Sequence, residues 1–347
     1  MKKGILCVAA AALVLRLAVF AASEGNAAES LREAMENSGL LRPAVHTEPY
    51  VPAETESPEV SPSLPITISP SPTLFTAAPP SESPAPDGAA SAVLTTTITG
   101  ESILNNTTGY AVDAAALLAE PLSQRLPAEG PQVLIIHTHS SEAYTPDGTD
   151  IYVPTDTART EDTNFNVVRV GDELQRMLES YGLTVLHDRG IYDSPSYTGS
   201  YARSCAAVES YLSQYPDIAV VIDLHRDALG SGDTVYKTVA ELSGRPAAQV
   251  MLVAGSGESG LEHPNWRENL KLALALQERM NRMYPTLARP LALVPERYNQ
   301  HLTTGSFILE VGSSGNTLRE ALAAVRLFGE AAGPLLAELA AEERLNS

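Results

Sequence analysis

From Gln132 onward, short apolar runs alternate with stretches whose apolar positions recur every three to four residues. The run "VLIIHTH" is apolar up to Ile136 and then turns polar, which suits a buried parallel strand. Residues 164–180 carry Val167, Val168, Leu174 and Leu178 at helical spacing, and "LTVLH" after Gly182 predicts a second strand. A helix over 201–214 leads into the strand "IAVVIDLH", and "AQVMLVAG" is a further strand. A long helix over 265–284, a last strand "SFILEVG" and a closing helix over 317–343 complete the pattern. Helices between strands predict an α/β fold, a mostly parallel twisted sheet covered by helices on both faces. We place it as a single domain over 131–345. Such sheets present ligand sites at the carboxyl ends of their strands.

The first part of the chain has no such pattern. Lys2 and Lys3 precede an apolar run from Gly4 to Ala22 that Arg16 interrupts. Positive charge ahead of an apolar run directs export and keeps the positive end inside. Residues 1–23 are read as a signal anchor, with a cleaved signal peptide as the alternative, so the remainder lies outside the membrane. Residues 24–94 are rich in Pro, Ser, Thr and Glu, too poor in apolar surface to offset their ordering entropy, and form an extended linker. Residues 95–130 are an appendage of unassigned structure.

Charge and cysteine narrow the function classes. The net charge of −19 offers no basic groove for nucleic acid. Cys7 lies in the apolar leader, which leaves Cys205 alone and excludes both a disulfide framework and a cysteine zinc site.

Three apolar strands end in ionisable residues. The first carries His137, Thr138 and His139, with Glu142 close behind. If the strand persists, His137 and His139 share a face. The second ends in Asp223, Leu224, His225, Arg226 and Asp227, and the third in Glu310. A buried strand has little use for such groups unless they meet a partner or a metal. A catalytic zinc takes three nitrogen or oxygen ligands and keeps one position open. Two histidines and Glu142 suit that ligand set, and Glu310 suits the carboxylate that moves the proton. Asp223 is placed to orient a ligand, or to pair with Arg226 or Arg203.

The other candidates are read as structural. His187 ends a strand without a cluster behind it, His46 falls in the linker, and His263 and His301 fall in loops, read as surface residues with a place lining the cleft as the alternative. Cys205 is read as core. No G-x-S-x-G elbow supports a serine hydrolase, and "GSGESG" lacks the lysine and threonine of a phosphate-binding loop.

The segments "VLIIHTHSSEAYTP", "TNFNVVRVGDEL", "VVIDLHRDA" and "YNQHLTTGSFILEVGSSGNTLREAL", in that order, resemble the stage II sporulation protein P family. The resemblance implies a fold and site like those of zinc-dependent N-acetylmuramoyl-L-alanine amidases. It implies cleavage of peptidoglycan between muramic acid and L-alanine, with some cutting of peptide cross-links, during septal thinning and engulfment in sporulation. The implied partners are stage II sporulation protein D and stage II sporulation protein M. By the register of related amidases His139 is the first zinc ligand and His137 its neighbour, although the match permits the reverse. Glu142 is the third ligand beside His225, with Glu161 as the alternative glutamate. Glu310 matches the catalytic glutamate, and Arg226 and Asn299 are implied substrate contacts. Two other functions use the same residues or none of them: a metallopeptidase confined to stem peptides, and a non-catalytic wall-binding scaffold.

Overall fold

The computed structural model describes residues 92–346, apart from 101, 149–157, 232–233, 243 and 245. The expected anchor at 1–23 and all of the expected linker up to 91 lie outside the described residues. Among the described residues no helix is long and apolar enough to cross a membrane.

Seven strands form the main sheet. In chain order they are β2 (Leu104–Asn106), β3 (Val133–Ile136), β4 (Val185–His187), β5 (Val220–Asp227), β9 (Val250–Gly255), β10 (Leu291–Val294) and β11 (Ser306–Ser313). Their spatial order is β2-β10-β9-β11-β5-β3-β4. Every neighbouring pair is parallel except β9 with β11. The prediction of a mostly parallel α/β sheet therefore holds, with one reversal in its middle.

The central strands are buried on both faces, which is why they read as continuous apolar runs rather than alternating ones. Val133, Ile135, Ile222, Leu224, Phe307 and Leu309 point to one face and join a core with α2 (Val167–Glu179), α4 (Trp266–Met283) and α5 (Leu318–Asn346). Leu134, Ile136 and Val221 point to the other and pack on Val208 of α3 (Ser200–Gln214). Asp223, His225 and Glu310 continue this second face toward the carboxyl ends of β5 and β11 by the period of two.

The helices close with small residues and specific caps. Asn166 starts α2 by accepting the Val168 amide at 3.0 Å. Where α5 crosses α2, a Cβ on Gly329 would come within 2.6 Å of Met177 and one on Gly333 within 2.2 Å of Tyr181. Only glycine lets these helices approach so closely.

The appendage over 95–130 is woven into the fold. It supplies β2, which edges the main sheet, and the short helix α1 (Ala114–Ala119). With Ala92–Thr96 it also forms β1, so residues 92–94 are strand rather than linker. β1 pairs with β7 (Thr234–Ala240) in a small second sheet with β6 (Gly230–Ser231) and β8 (Ala247–Ala248).

Glu173 ties α2 to α5. Its Oε1 takes Arg326 Nε at 2.7 Å and Arg176 Nη2 at 2.5 Å. Burial alone would raise this carboxyl, but the two arginines outweigh it and hold the pKa at about 2. A carboxyl depressed on folding stabilises the fold above its unfolded pKa, roughly 4.3, and loses that contribution as pH falls toward 2. Thermal melts between pH 5 and about pH 2 should therefore show a steeper fall for the wild type than for Glu173→Gln. Parallel curves would show that this bridge contributes nothing.

Candidate metal centre

β3, β5 and β11 run in the same direction, and their carboxyl ends bring the predicted clusters together. Among the described residues, His139, Glu142 and His225 form a buried group whose ligand atoms all lie within 4.8 Å of one another. Glu142 Oε1 lies 3.7 Å from His139 Nδ1, and its Oε2 lies 3.4 Å from His225 Nδ1. The two imidazoles stand at 88° with centroids 5.0 Å apart.

His137 is not part of this group. β3 ends at Ile136, and residues 138–141 form a turn, so the strand alternation that would have given both histidines one face does not apply. Thr138 pins the turn by donating its amide to Asp223 Oδ1 at 2.8 Å and its hydroxyl to Oδ2 at 2.7 Å. His139 is thereby turned to His225. His137 is turned the other way, with Nε2 2.8 Å from His187 Nε2 and Nδ1 2.8 Å from the Leu224 carbonyl oxygen. Burial and the adjacent His187 hold the His137 pKa near 3, so it is a neutral packing residue.

These two histidines press on α2 at Gly171. A Cβ there would lie 2.5 Å from His187 Nε2 and 2.7 Å from His137 Nε2. Gly171→Ala should lower unfolding stability by about 1–3 kcal/mol, the usual effect of overpacking, despite alanine's better helix propensity. Urea unfolding checks this, and a stabilised variant would contradict the packing.

The buried groups of this cluster shift one another strongly. Burial would raise Glu142, but His225 and Arg226 outweigh it and hold the carboxylate well below its usual range. Burial lowers His139 to about 3 against the pull of Glu142. Burial likewise opposes charge on His225, yet Asp223 and Glu142 on either side raise it well above its ordinary value. His225 Nε2 lies 2.8 Å from Asp223 Oδ1, which leaves Nδ1 turned to Glu142.

Glu310 stands beside this group, in register with His225 on the neighbouring strand. Burial, then Asp227, push its pKa well above the carboxylate range. Both Glu310 oxygens and both ring nitrogens of His139 are buried without a hydrogen-bond partner, whereas the nitrogens of His225 face Asp223 and Glu142. Leaving such atoms unmet costs about 1–3 kcal/mol each. Two imidazoles and a carboxylate are a donor set that zinc accepts, so these residues fit a zinc ion.

The sequence reading missed the surroundings. Arg159 Nη2 lies 3.4 Å from Glu142 Oε1, and its Nη1 lies 2.6 Å from Asp193 Oδ2. The same guanidinium sits 5.0 Å over the Tyr197 ring, which stacks on His139 at 4.5 Å and 22°. Tyr201 meets His139 edge-on at 5.4 Å. Burial, then Asp223, Tyr298 and Glu310, keep its phenol far above the usual range. The only local signal was the tyrosine-rich stretch "YDSPSYTGSY" that runs into the start of α3.

Several expected positions differ. Arg226, expected at the substrate, is buried and donates to the carbonyls of Ala143 and Ala158, each at 2.9 Å. It braces the segment that carries Glu142. Asn299, also expected at the substrate, donates its amide to Tyr201 O at 2.9 Å and Ser204 Oγ at 3.0 Å. Glu161 is exposed and bonded to Ser194, outside the group. His263, expected at the surface, is buried, and Cys205, expected in the core, is half-buried.

Comparison with known proteins gives the following matches. Residues 86–332 match the family described as Stage II sporulation protein P. Over 217 residues the chain is 30% identical to Stage II sporulation protein P of Bacillus subtilis (strain 168), covering 57% of this chain and 50% of that protein. This chain thus spans about half the length of that curated relative. Solved structures that overlay loosely include the N-acetylmuramoyl-L-alanine amidase AmiC2 of Nostoc punctiforme, at TM-score 0.33 and 12% identity over 63% of this chain and 99% of that one. The amidase Ami1 from Mycobacterium smegmatis overlays at TM-score 0.36 and 11% identity over 62% and 99% of the two chains.

Proposed function

Because this chain belongs to the stage II sporulation protein P family, we propose that it is a zinc-dependent peptidoglycan hydrolase that cuts the amide between N-acetylmuramic acid and L-alanine. The observation that supports this most is the buried His139–Glu142–His225 group with the unpartnered Glu310 in register beside it.

His139, Glu142 and His225 would hold the zinc. A bound zinc supplies Lewis acidity, which polarises the scissile carbonyl and makes water a better nucleophile near neutral pH. Glu310 accepts a proton from the attacking water and gives it to the amide nitrogen as the C–N bond breaks. Its burial beside Asp227 keeps the carboxyl basic enough for that transfer. The products are a free carboxylate on the muramic lactyl group and a free amine on L-alanine. Asp223 fixes the ring of His225, and Arg226 holds the chain carrying Glu142.

The same reading places the enzyme outside the membrane, held by the apolar run behind Lys2 and Lys3 and spaced from it by the Pro-rich segment. Its substrate is the septal wall during engulfment, where it acts beside stage II sporulation proteins D and M and also cuts some peptide cross-links. The acidic net charge does not conflict with this, since amide cleavage needs a local site rather than a basic surface.

Metal dependence tests the proposal. The full chain in detergent should release soluble fragments from dye-labelled peptidoglycan. A chelator should abolish release, and added zinc, but not magnesium, should restore it. Release that survives complete zinc removal would rule out this chemistry.

A further inference from the structure

The unpartnered buried atoms around the metal centre include one hydroxyl. His139 presents ring nitrogens and Glu310 presents two oxygens, whereas Tyr201 presents a hydroxyl. Interior tyrosines ordinarily find a hydrogen-bond partner for that group. Here the hydroxyl is enclosed with none, within electrostatic reach of Asp223 and Glu310 on the site face of the sheet.

The ring is held rigidly. Its edge rests against His139, with centroids 5.4 Å apart at 81°. Tyr298 covers another side at 5.4 Å, tilted by 34°. Tyr298 has φ of 50°, a left-handed conformation that a tyrosine rarely adopts, and packs onto Met251, Val253, Ala292, Val294 and Ile308. Strain of this kind, about 1–3 kcal/mol, persists where the surroundings over-determine a site. Asn299 anchors the first turn of α3 through the Tyr201 carbonyl and Ser204. A donor fixed in this way needs no reorganisation when charge develops in front of it.

We propose that Tyr201 is a catalytic residue: its hydroxyl donates a hydrogen bond to the scissile carbonyl oxygen as that oxygen gains negative charge. This rests on the hydrolase reading above. Water oxygen bonds to the carbonyl carbon, the C–N bond breaks, and Glu310 carries the proton from water to nitrogen. Tyr201 keeps its own proton throughout. The other groups at the centre do not serve that oxygen, because Glu310 accepts rather than donates and the imidazoles of His139 and His225 are committed to Glu142, Asp223 and the metal position.

The test is Tyr201→Phe in the full chain, which keeps the ring against His139 and Tyr298. The expected result is a kcat about 10²–10³-fold lower, with KM within about twofold and zinc per chain unchanged. A phosphinic acid analogue of the tetrahedral species should lose affinity by a similar factor, because it carries the charged oxygen that the substrate lacks. Full kcat and full analogue affinity in the variant would overturn the role of Tyr201 alone. Loss of zinc along with kcat would also overturn it, showing that the ring acts only by packing on His139. A wild-type chain that neither cuts peptidoglycan nor binds the analogue would overturn the hydrolase reading itself, and this role with it.

Discussion

Glu310→Gln lowers the rate of wall cleavage by about 10²–10⁴-fold while the chain keeps its zinc. Glutamine has the same shape and leaves the core of β11 intact, but its amide cannot take a proton from water. Glu310 is outside the ligand group of His139, Glu142 and His225, so zinc content by mass spectrometry should be unchanged. The fold should not suffer either. Glu310 is a buried carboxyl with no hydrogen-bond partner and a pKa pushed up by burial and Asp227. Replacing it with a neutral group removes an ionisable side chain that gains nothing from the fold, so the zinc-free midpoint should match or exceed the wild type. A variant that retains activity within about tenfold would show that another group moves the proton.

His225→Ala has a different signature. It removes a ligand, so zinc and activity vanish together. It also removes the imidazole between Asp223 and Glu142, which lie 2.8 and 3.4 Å from its two nitrogens. In the zinc-free chain the two carboxylates favour the charged form of that ring, against its burial. Removing it breaks the buried pair with Asp223 and leaves Glu142 only Arg159 and the Arg226 amide, a change that typically costs about 3–5 kcal/mol. Denaturant unfolding of zinc-free wild type against the variant isolates this effect from metal loss. A variant that holds one zinc per chain would show that His225 is not a ligand.

The contrast between these variants follows from what each position meets, and much of that was legible beforehand. Apolar runs that end in His139, His225 and Glu310 located the strands and the edge where they converge, because burying an ionisable group needs a reason that sequence can register. The partition between His137 and His139 was not legible. It depends on Thr138 bonding Asp223, a contact between residues far apart in the chain, which ends β3 one residue before the pair. The same holds for Arg159 and Tyr197, which reach His139 and Glu142 through tertiary contacts and carry no periodic signature. Arg226 and Asn299 look from sequence like groups free to meet a ligand, but the fold commits their donors to backbone and serine oxygens. β10 is four residues between Pro290 and Pro295, too short for a period to emerge. The reversal between β9 and β11 follows from a connection after β10 that contains only a short 3-10 turn, Gln300–Leu302, and no crossover helix.

The most direct measurement is the identity of the bond that breaks. Purified sacculi would be digested with the full-length, zinc-loaded chain, and the soluble products resolved by mass spectrometry. The expected products are intact stem peptides with a free L-alanine amine and glycan strands whose muramic lactyl groups end in carboxylates. Soluble products that all retain the muramic acid–L-alanine bond would contradict the proposed cleavage, because the zinc site would then be cutting elsewhere in the wall.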